Sequence, residues 1–436
     1  MSDVVHVSGI GGVGMSALAQ ALLDQGVTVT GSDRLLDTGD MTETLRCLGA
    51  QGVALYPQDG SGVTPRTARL VVSSAIEADN PEMLRARALG IPVVHRAAEL
   101  ARLTEGRRLI AVTGTCGKST VTAMLGCLLE GAGFDPLVVN GAAVAGWNAG
   151  GTRIGSVRRG KGAWAVVEAD ESDKSLMVFS PEHAVITNAS ADHFGIDETL
   201  SLFASFRARV PGAVIDGRQE PRHPEGLRLE GWNGFFTFEG VDYLVPMPGE
   251  HNVHNAWHAV RMARTLGAAP ERLAAALRSF GGVERRLQRV GMCGGAAVVD
   301  DYAHNPEKLA AAWTTLATAF PAGVCAVWRP HGYAPLRKML EAVTAVFARV
   351  CRPVDTLLLL PVYDAGGTAD RTIGSDLLAS QLVKQGVTVA LVQSLEAAEA
   401  QMRARAVPGG ALVTFGARDP GLPRLAARLA GAAETR

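Results

Sequence analysis

The sequence predicts an α/β protein of parallel sheets with crossover helices, and three observations carry that expectation. Short β-branched runs alternate with alanine- and leucine-rich stretches along nearly the whole chain, the pattern of repeated strand–helix units. Many of the 50 glycines fall directly after the strand-like runs, where the chain must turn sharply into a helix. At roughly 100–200 residues per domain, 436 residues allow two to four domains, each large enough to bury a core of its own.

The elements follow in order. The first block, to about Leu103, has strand-like runs at Val4–Ser8, Val27–Thr30, Leu70–Ser73 and Pro92–Val94, with a helical run over Met15–Gln25. The charged piece from Thr104 to Arg108 reads as a linker. A second block opens at a strand over Leu109–Thr113 and continues through Trp164–Val167 and Ala184–Thr187. The stretch Gly217–Pro224 and the aromatic piece Trp232–Tyr243 interrupt the alternation, which predicts a loop and a small antiparallel insertion. A third block opens near Val290, with strands at Ala296–Val299, Val324–Val327, Thr356–Leu360, Thr388–Val392 and Ala411–Thr414, each followed by a helix. Pro306 stands where a first helical turn tolerates proline. There is no internal repeat and no low-complexity tract.

Composition excludes several classes of function. Hydrophobic residues make 47% of the chain and charged residues 19%, which is not the balance of a disordered protein. Lys+Arg number 42 against 43 Asp+Glu, so no basic field exists to bind nucleic acid. No apolar run reaches the ~18 residues of a membrane span. Met1-Ser2-Asp3 leads straight into Val4-Val5-His6-Val7 without the basic region of a secretory signal. The six cysteines (Cys47, Cys116, Cys127, Cys293, Cys325, Cys351) form no CxxC pair or zinc spacing, so free thiols in a reducing cytoplasm are expected.

Two loops carry phosphate-binding chemistry. The first, Gly9-Ile-Gly11-Gly12-Val-Gly14, lies between a strand and a helical run that begins at Met15. Its glycines allow a tight turn and let backbone N–H groups approach a phosphate at a helix N-terminus. Asp33 follows Gly14 by 19 residues, after a second strand, where an acid can bind a ribose hydroxyl. The second loop is Thr113-Gly114-Thr115-Cys116-Gly117-Lys118-Ser119-Thr120, again between strand and helix. Its N–H groups can cradle phosphates, Lys118 can neutralise them, and Ser119 can ligate Mg²⁺. It departs from the standard P-loop, which needs glycine where Val112 stands. Lys118, one of only six lysines in the chain, reads as an exposed loop residue whose removal leaves the fold intact.

Acidic and polar clusters follow. The strand Trp164–Val167 ends in Glu168-Ala-Asp170-Glu171-Ser-Asp173. Four carboxylates in six positions repel one another unless a cation is present, and a strand end beside a phosphate loop is where Mg²⁺ is held. His193, after the next strand, is either a metal ligand or a capped loop histidine. Asn252 and Asn255 share one helix face and either read a base edge or cap the helix. Arg286 after the Gly281-Gly282 turn, and Asp301 after a strand, suit phosphate and ribose contacts or a purely structural role.

Together these pieces resemble the Mur ligase family, the ATP-dependent amide ligases of peptidoglycan synthesis. The matching stretches are GIGGVGMSALA (9–19), GSD (31–33), VSSAIEADNPE (72–82), GTCGKST (114–120), EADESD (168–173), ADH (191–193), HNVHN (251–255), ERR (284–286) and DDYAHNP (300–306), in the family's order. The resemblance implies a Rossmann-like N-terminal domain (1–105) that binds a UDP-sugar, a P-loop central domain (106–286) that binds ATP, and a Rossmann-like C-terminal domain (287–436) that binds an amino acid. It implies ATP and Mg²⁺ as requirements and UDP-N-acetylmuramate or a related UDP-sugar as the carboxylate substrate, joined to an amino acid, L-alanine foremost. A cytoplasmic monomer or homodimer is expected, with neither nucleic acid nor membrane as partner.

Residue by residue, the resemblance gives Gly114, Thr115, Cys116, Gly117, Lys118, Ser119 and Thr120 to the ATP phosphates. Asn252, Asn255, Arg286 and Asp301 complete the nucleotide site. Ser119, Glu168 and His193 would hold the metal, and Lys118, Glu168, His193 and Arg286 would act in catalysis. Gly9, Gly11, Gly12, Gly14, Met15, Asp33, Ser73 and Ser74 fall to the UDP-sugar, and Tyr302, His304 and His331 to the amino acid.

The chain also departs from the family. Cys116 stands where the most similar members carry histidine. At a helix N-terminus beside Lys118 it is either a thiolate-prone residue or a small one that fits the loop. The chain is short after His193. A Pro-His-Arg-Tyr-Thr-Arg stretch reads Pro330-His331-Gly332-Tyr333-Ala334-Pro335, with Arg329 and Arg337 flanking it, and a Gly-Ala-Gly-Asp turn reads Gly416-Ala417-Arg418-Asp419. Three other readings stand beside this one. A ligase of the same kind could take another acceptor or UDP-sugar peptide. A non-catalytic nucleotide-binding regulator could keep the fold. A nicotinamide-dependent oxidoreductase would use Gly9–Gly14 and Asp33, but it leaves Lys118 and the Glu168 cluster unexplained.

Overall fold

The computed structural model describes residues 4–37, 39, 41–190, 194–219, 223–364 and 370–431. They fall into two compact units: Met1–Arg228 with Phe235–Pro246 and Glu250–Val283, and Leu229–Gly234 with Met247–Gly249 and Glu284–Arg436.

The first unit holds two sheets flanked by helices. In the first, five parallel strands lie in the order Ala54–Tyr56, Thr28–Ser32, Val4–Ser8, Thr67–Val72, Val93–His95. Val4–Ser8 sits in the middle and is almost wholly buried, which accounts for its unbroken Val-Val-His-Val run. The one polar side chain in that run, His6, is accommodated by hydrogen bonds to Glu82 at 2.9 Å and Thr30 at 2.8 Å. The strand order reverses between Val4–Ser8 and Thr67–Val72, so a crevice opens beyond their C-terminal ends.

The second sheet has six strands in the order Val214–Asp216, His183–Ile186, Arg108–Thr113, Trp164–Glu168, Leu137–Val139, Val157–Arg158. All adjacent pairs are parallel except the last. Arg108–Thr113 is flanked by the strands that carry Glu168 and lead to Thr187, so three loops converge beyond its C-terminal end. Against this sheet, the helices Lys118–Gly131 and Glu250–Thr265 pack on each other. A three-stranded sheet, Glu225–Glu230, Asn233–Phe238 and Val241–Val245 in that order, forms where the aromatic piece predicts an insertion.

The second unit is built on a six-stranded sheet in the order Gln288–Cys293, Ala296–Asp301, Ala411–Phe415, Val324–Trp328, Thr356–Leu359, Val389–Leu391. Only the first pair is antiparallel. Its core is apolar on both faces, with Trp313, Trp328, Phe347 and Phe415 buried on one side and Leu412, Leu422, Leu425 and Leu429 on the other.

The fold is α/β with parallel sheets, as the alternation predicts. Four strands of only two or three residues escape the sequence reading, Ala54–Tyr56, Leu137–Val139, Val157–Arg158 and Val214–Asp216, and so does Gln288–Cys293, whose run is interrupted by Gly291. The linker is also shorter than expected. Arg108 already belongs to the strand Arg108–Thr113, with its N–H bonded to Ala163 O at 2.8 Å. Among the described residues no helix is long and apolar enough to cross a membrane.

Candidate active site

The Gly9–Gly14 loop runs from the central strand of the first sheet into the helix Val13–Asp24. Gly12 caps that helix without a side-chain bond, so the first N–H groups of the helix are presented to a ligand. Asp33, nearly buried, holds the loop in shape: its Oδ2 accepts the Gly11 N–H at 2.9 Å and its Oδ1 the Leu35 N–H at 3.1 Å. A Cβ at Gly11 would lie 2.9 Å from Asp33 Oδ2, so glycine is needed for this close approach. The loop lines a cleft of about 320 Å³ in which Gly12, Gly14, Met15 and Ser73 face Arg96, Asn140, Gly141, Glu168 and Asp170. Ser74 is exposed and stands outside that lining.

The second loop is held from the neighbouring strand end. Asn188 Oδ1 accepts from Thr115 Oγ1 at 2.8 Å and from the Cys116 N–H at 2.9 Å. Cys116 O in turn accepts from Thr187 Oγ1 at 2.5 Å and Asn188 Nδ2 at 3.0 Å. Gly117 has φ of +83°, and a Cβ there would meet Asn255 Oδ1 at 2.6 Å; both facts demand glycine. Asn255 therefore lies directly over the loop, and its Nδ2 donates to Asn252 Oδ1 at 3.2 Å. Ser119 and Thr120 are buried in the first turn of the helix Lys118–Gly131, which also has no side-chain cap.

Lys118 is not the exposed lysine that the loop pattern predicts. Its side chain is only 14% exposed, and its Nζ donates to Glu171 Oε2 at 2.6 Å and to Gly114 O at 2.8 Å. Burial alone would lower the pKa of its ammonium group, but the carboxylates of Glu171, Glu168 and Asp170 outweigh it and hold it above the ordinary value. Burial raises the Glu171 carboxyl above the usual range, against the pull of Lys118. Asp170 is half-buried, which works against its charge, yet Lys118, the Ser172 N–H and Arg96 keep its carboxyl below the usual range. Arg96 Nη2 reaches Asp170 Oδ2 at 3.2 Å.

Glu168 ends its strand with Oε2 accepting the Gly141 N–H at 2.8 Å. Beside it Asn140 Oδ1 is buried with no hydrogen-bond partner among the described residues, while its Nδ2 donates to Ala142 O. An orphaned amide oxygen next to carboxylates is an oxygen donor set of the kind Mg²⁺ takes. His193 lies outside the described residues.

The second unit gathers the remaining predicted residues at the C-terminal ends of its central strands. Arg285 donates to Asp300 Oδ2 at 3.2 Å and also to Gly416 O, so this arginine ties the turn. Arg286 stands over the Tyr302 ring at 5.5 Å. Asp301 accepts the N–H groups of Leu287 and Ala303, each at 2.7 Å, and burial pushes its carboxyl up to about 6. Tyr302, His304 and His331 come together: the His304 ring is 5.3 Å from Tyr302 and 5.0 Å from His331. Burial lowers His304 to about 4, so it is neutral at pH 7. The arginines flanking Pro330–Pro335 are engaged in ion pairs, Arg329 with Asp419 at 2.7 Å and Arg337 with Asp370 at 2.5 Å.

Sequence reasoning did not single out Arg96, Asn140, Thr187 or Asn188. Arg96 follows a three-residue strand and belongs to no motif. Asn140-Gly141 reads as an ordinary turn after a short apolar run. Asn188 had a signal, its position directly after a buried strand beside the loop.

Residues 4–108 match the Mur ligase family, catalytic domain, and residues 285–418 match the Mur ligase, glutamate ligase domain. The chain is 35% identical to the UDP-N-acetylmuramate–L-alanine ligase of Sinorhizobium medicae, over 98% of both chains. It is 36% identical to that of Phenylobacterium zucineum, over 95% of this chain and 92% of the relative. Among solved structures, the UDP-N-acetylmuramate-alanine ligase of Thermotoga maritima superposes with a TM-score of 0.79 at 23% identity, covering 98% of this chain and 97% of the other. A murein peptide ligase of Psychrobacter arcticus superposes with a TM-score of 0.65 at 21% identity, covering 99% and 98%.

Proposed function

This chain belongs to the Mur ligase family, and from that premise we propose that it joins the carboxylate of UDP-N-acetylmuramate to the amino group of L-alanine, at the expense of ATP. The family's members are ATP-dependent ligases of peptidoglycan synthesis. The observation that carries the reading is the cleft that brings the first glycine loop up against Glu168 and Asp170, the acidic cluster next to Lys118. A nicotinamide enzyme has no use for that second, cationic loop. In the division of labour, residues 1–105 bind the UDP-sugar, 106–286 bind ATP, and 287–436 bind the amino acid. None of the six cysteines is joined in a disulfide, which suits a reducing cytoplasm.

A carboxylate does not react with an amine, because oxide is a poor leaving group. In the proposed reaction a carboxylate oxygen of the UDP-sugar attacks the γ-phosphorus of ATP, and the bond to the ADP oxygen breaks. The amine nitrogen then attacks the acyl carbon, and phosphate leaves with its electron pair. The protein's contribution is positioning and charge stabilisation. Lys118, kept in place by Glu171 and Gly114 O, offsets charge on the transferred phosphoryl group. Arg96 and the N-terminus of the helix Val13–Asp24 suit the anionic UDP-sugar. Asn255 over Gly117 borders the nucleotide. Ser119, Glu168 and Asn140 Oδ1 would hold Mg²⁺, with His193 as a further candidate, and that ion would supply Lewis-acid stabilisation of the phosphates. His304 donates its Nδ1 proton to Tyr302 O at 2.9 Å, which leaves Nε2 as an acceptor toward an entering ammonium group.

The test is phosphate release measured with UDP-N-acetylmuramate and a panel of amino acids. The reading requires release that depends on both substrates and is fastest with L-alanine. Release with a different amino acid would reassign the acceptor; none with any would exclude ligation.

A further inference from the structure

We propose that His223, Glu250 and His254 form a binding site for a late first-row divalent cation of the Zn²⁺ class, separate from the Mg²⁺ site of the nucleotide. Glu250 and His254 are one turn apart at the start of the helix Glu250–Thr265, and His223 comes from the chain just before the strand Glu225–Glu230. Three donor atoms converge. His223 Nδ1 lies 3.1 Å from Glu250 Oε1 and 3.2 Å from His254 Nε2, and His254 Nε2 lies 3.6 Å from Glu250 Oε1. A tetrahedral ion with ligands at ~2.0–2.1 Å sets those ligands about 3.3 Å apart, which is the size of this triangle. The two imidazole rings are inclined at 59° rather than stacked, so their nitrogens can address one point.

Hydrogen bonding alone accounts for the triangle poorly. A ring nitrogen carries at most one proton, yet His223 Nδ1 faces both a carboxylate oxygen and a ring nitrogen. The proton can satisfy one of them, whereas a cation at the centre satisfies all three. Two imidazoles and one carboxylate favour Zn²⁺, Co²⁺ or Ni²⁺ over Mg²⁺ and Ca²⁺, which take oxygen donors. All three groups retain solvent exposure, so ions can enter and water can complete the coordination.

The position has a consequence for the helix. Glu250 and His254 occupy the face opposite Asn252 and Asn255, which are buried, with Asn255 against Gly117. An ion bound there ties His223 to the first turn of the helix that borders the phosphate loop.

The experiment is a titration of the full chain, stripped with chelator and held in excess Mg²⁺, with Co²⁺ as the probe. One equivalent should bind with the visible absorption of a four- or five-coordinate ion and no sulfur-to-metal charge-transfer band. His223→Ala and His254→Ala should each lose that absorption while keeping the metal-free melting temperature of the parent. His223 is exposed, so at least that variant tests the site without disturbing the fold. Absence of a stoichiometric equivalent, an absorption retained in both variants, or a sulfur band assigning the ion to cysteine would each overturn the proposal.

Discussion

Replacing Lys118 by methionine removes one member of a buried ion pair and leaves the other. The Glu171 side chain is 3% exposed and its oxygen is 2.6 Å from Lys118 Nζ. Breaking such a pair from one side costs about 3–5 kcal/mol. The lower end, about 3 kcal/mol, applies here, because Lys118 keeps some exposure and Glu171 can take up a proton. A unit of this size loses roughly 2–4 °C per kcal/mol, so the midpoint should fall by roughly 6–12 °C near neutral pH. The pH dependence has a definite sign. The Glu171 carboxyl is already raised by burial, and without Lys118 it rises further. A carboxyl raised in the fold favours the folded state below its unfolded pKa and loses that contribution as pH rises through its folded value. The deficit of the variant should therefore shrink on acidification. A second substitution, Glu171→Gln, removes the stranded charge, so Lys118→Met/Glu171→Gln should melt close to the parent while remaining inactive in ligation. Differential scanning calorimetry across pH, with ligation assayed in parallel, gives all three readings. A Lys118→Met protein that melts with the parent at neutral pH, or a double variant no better than the single one, refutes the buried-pair account.

Other substitutions test neighbouring parts. Glu168→Gln keeps the bond from the Gly141 N–H but loses a charge, so half-saturating Mg²⁺ should rise by ~10-fold or more in the ligation assay; an unchanged requirement moves the metal to Asp170 or Glu171. Burial raises the thiols of Cys127 and Cys325 to about 12 and about 11. Iodoacetamide should therefore modify Cys116 ahead of both, with protection by ATP-Mg²⁺; peptide mapping that finds labelling insensitive to nucleotide makes Cys116 a simple fit to its loop. Asp301 goes from an ordinary 3.8 to about 6 in the fold, so its contribution is full below pH ~4 and lost as pH rises through ~6, about 3 kcal/mol in all. Asp301→Asn has no such titration, and its melting temperature relative to the parent should rise over that interval.

The sequence made the two phosphate loops legible because both lie between a buried strand and a helix, where glycine spacing reflects backbone geometry directly. Gly11 and Gly117 show why: one must admit Asp33, the other Asn255 and a positive φ. The acidic run was legible as a cluster, but its internal roles were not. Spacing cannot show that Glu171 pairs with Lys118 while Glu168 turns to Gly141, since both lie in the same six-residue stretch. Lys118 read as exposed because a glycine-rich loop gives no sign that a carboxylate from another strand end will cover it. Arg96 and Asn140 were silent for different reasons: the strand before Arg96 is legible but the arginine belongs to no motif, whereas Asn140 follows Leu137–Val139, a strand of three residues too short to register as one.

The central claim is that ATP activates the UDP-sugar carboxylate as an acyl phosphate. Its most direct test uses UDP-N-acetylmuramate carrying oxygen-18 in the carboxylate, with ATP, Mg²⁺ and L-alanine, followed by mass spectrometry of the released phosphate. Attack by the carboxylate on phosphorus, then expulsion of phosphate by the amine, must carry one labelled oxygen into each phosphate formed. Phosphate free of label, or label retained in AMP with release of pyrophosphate, would contradict the mechanism.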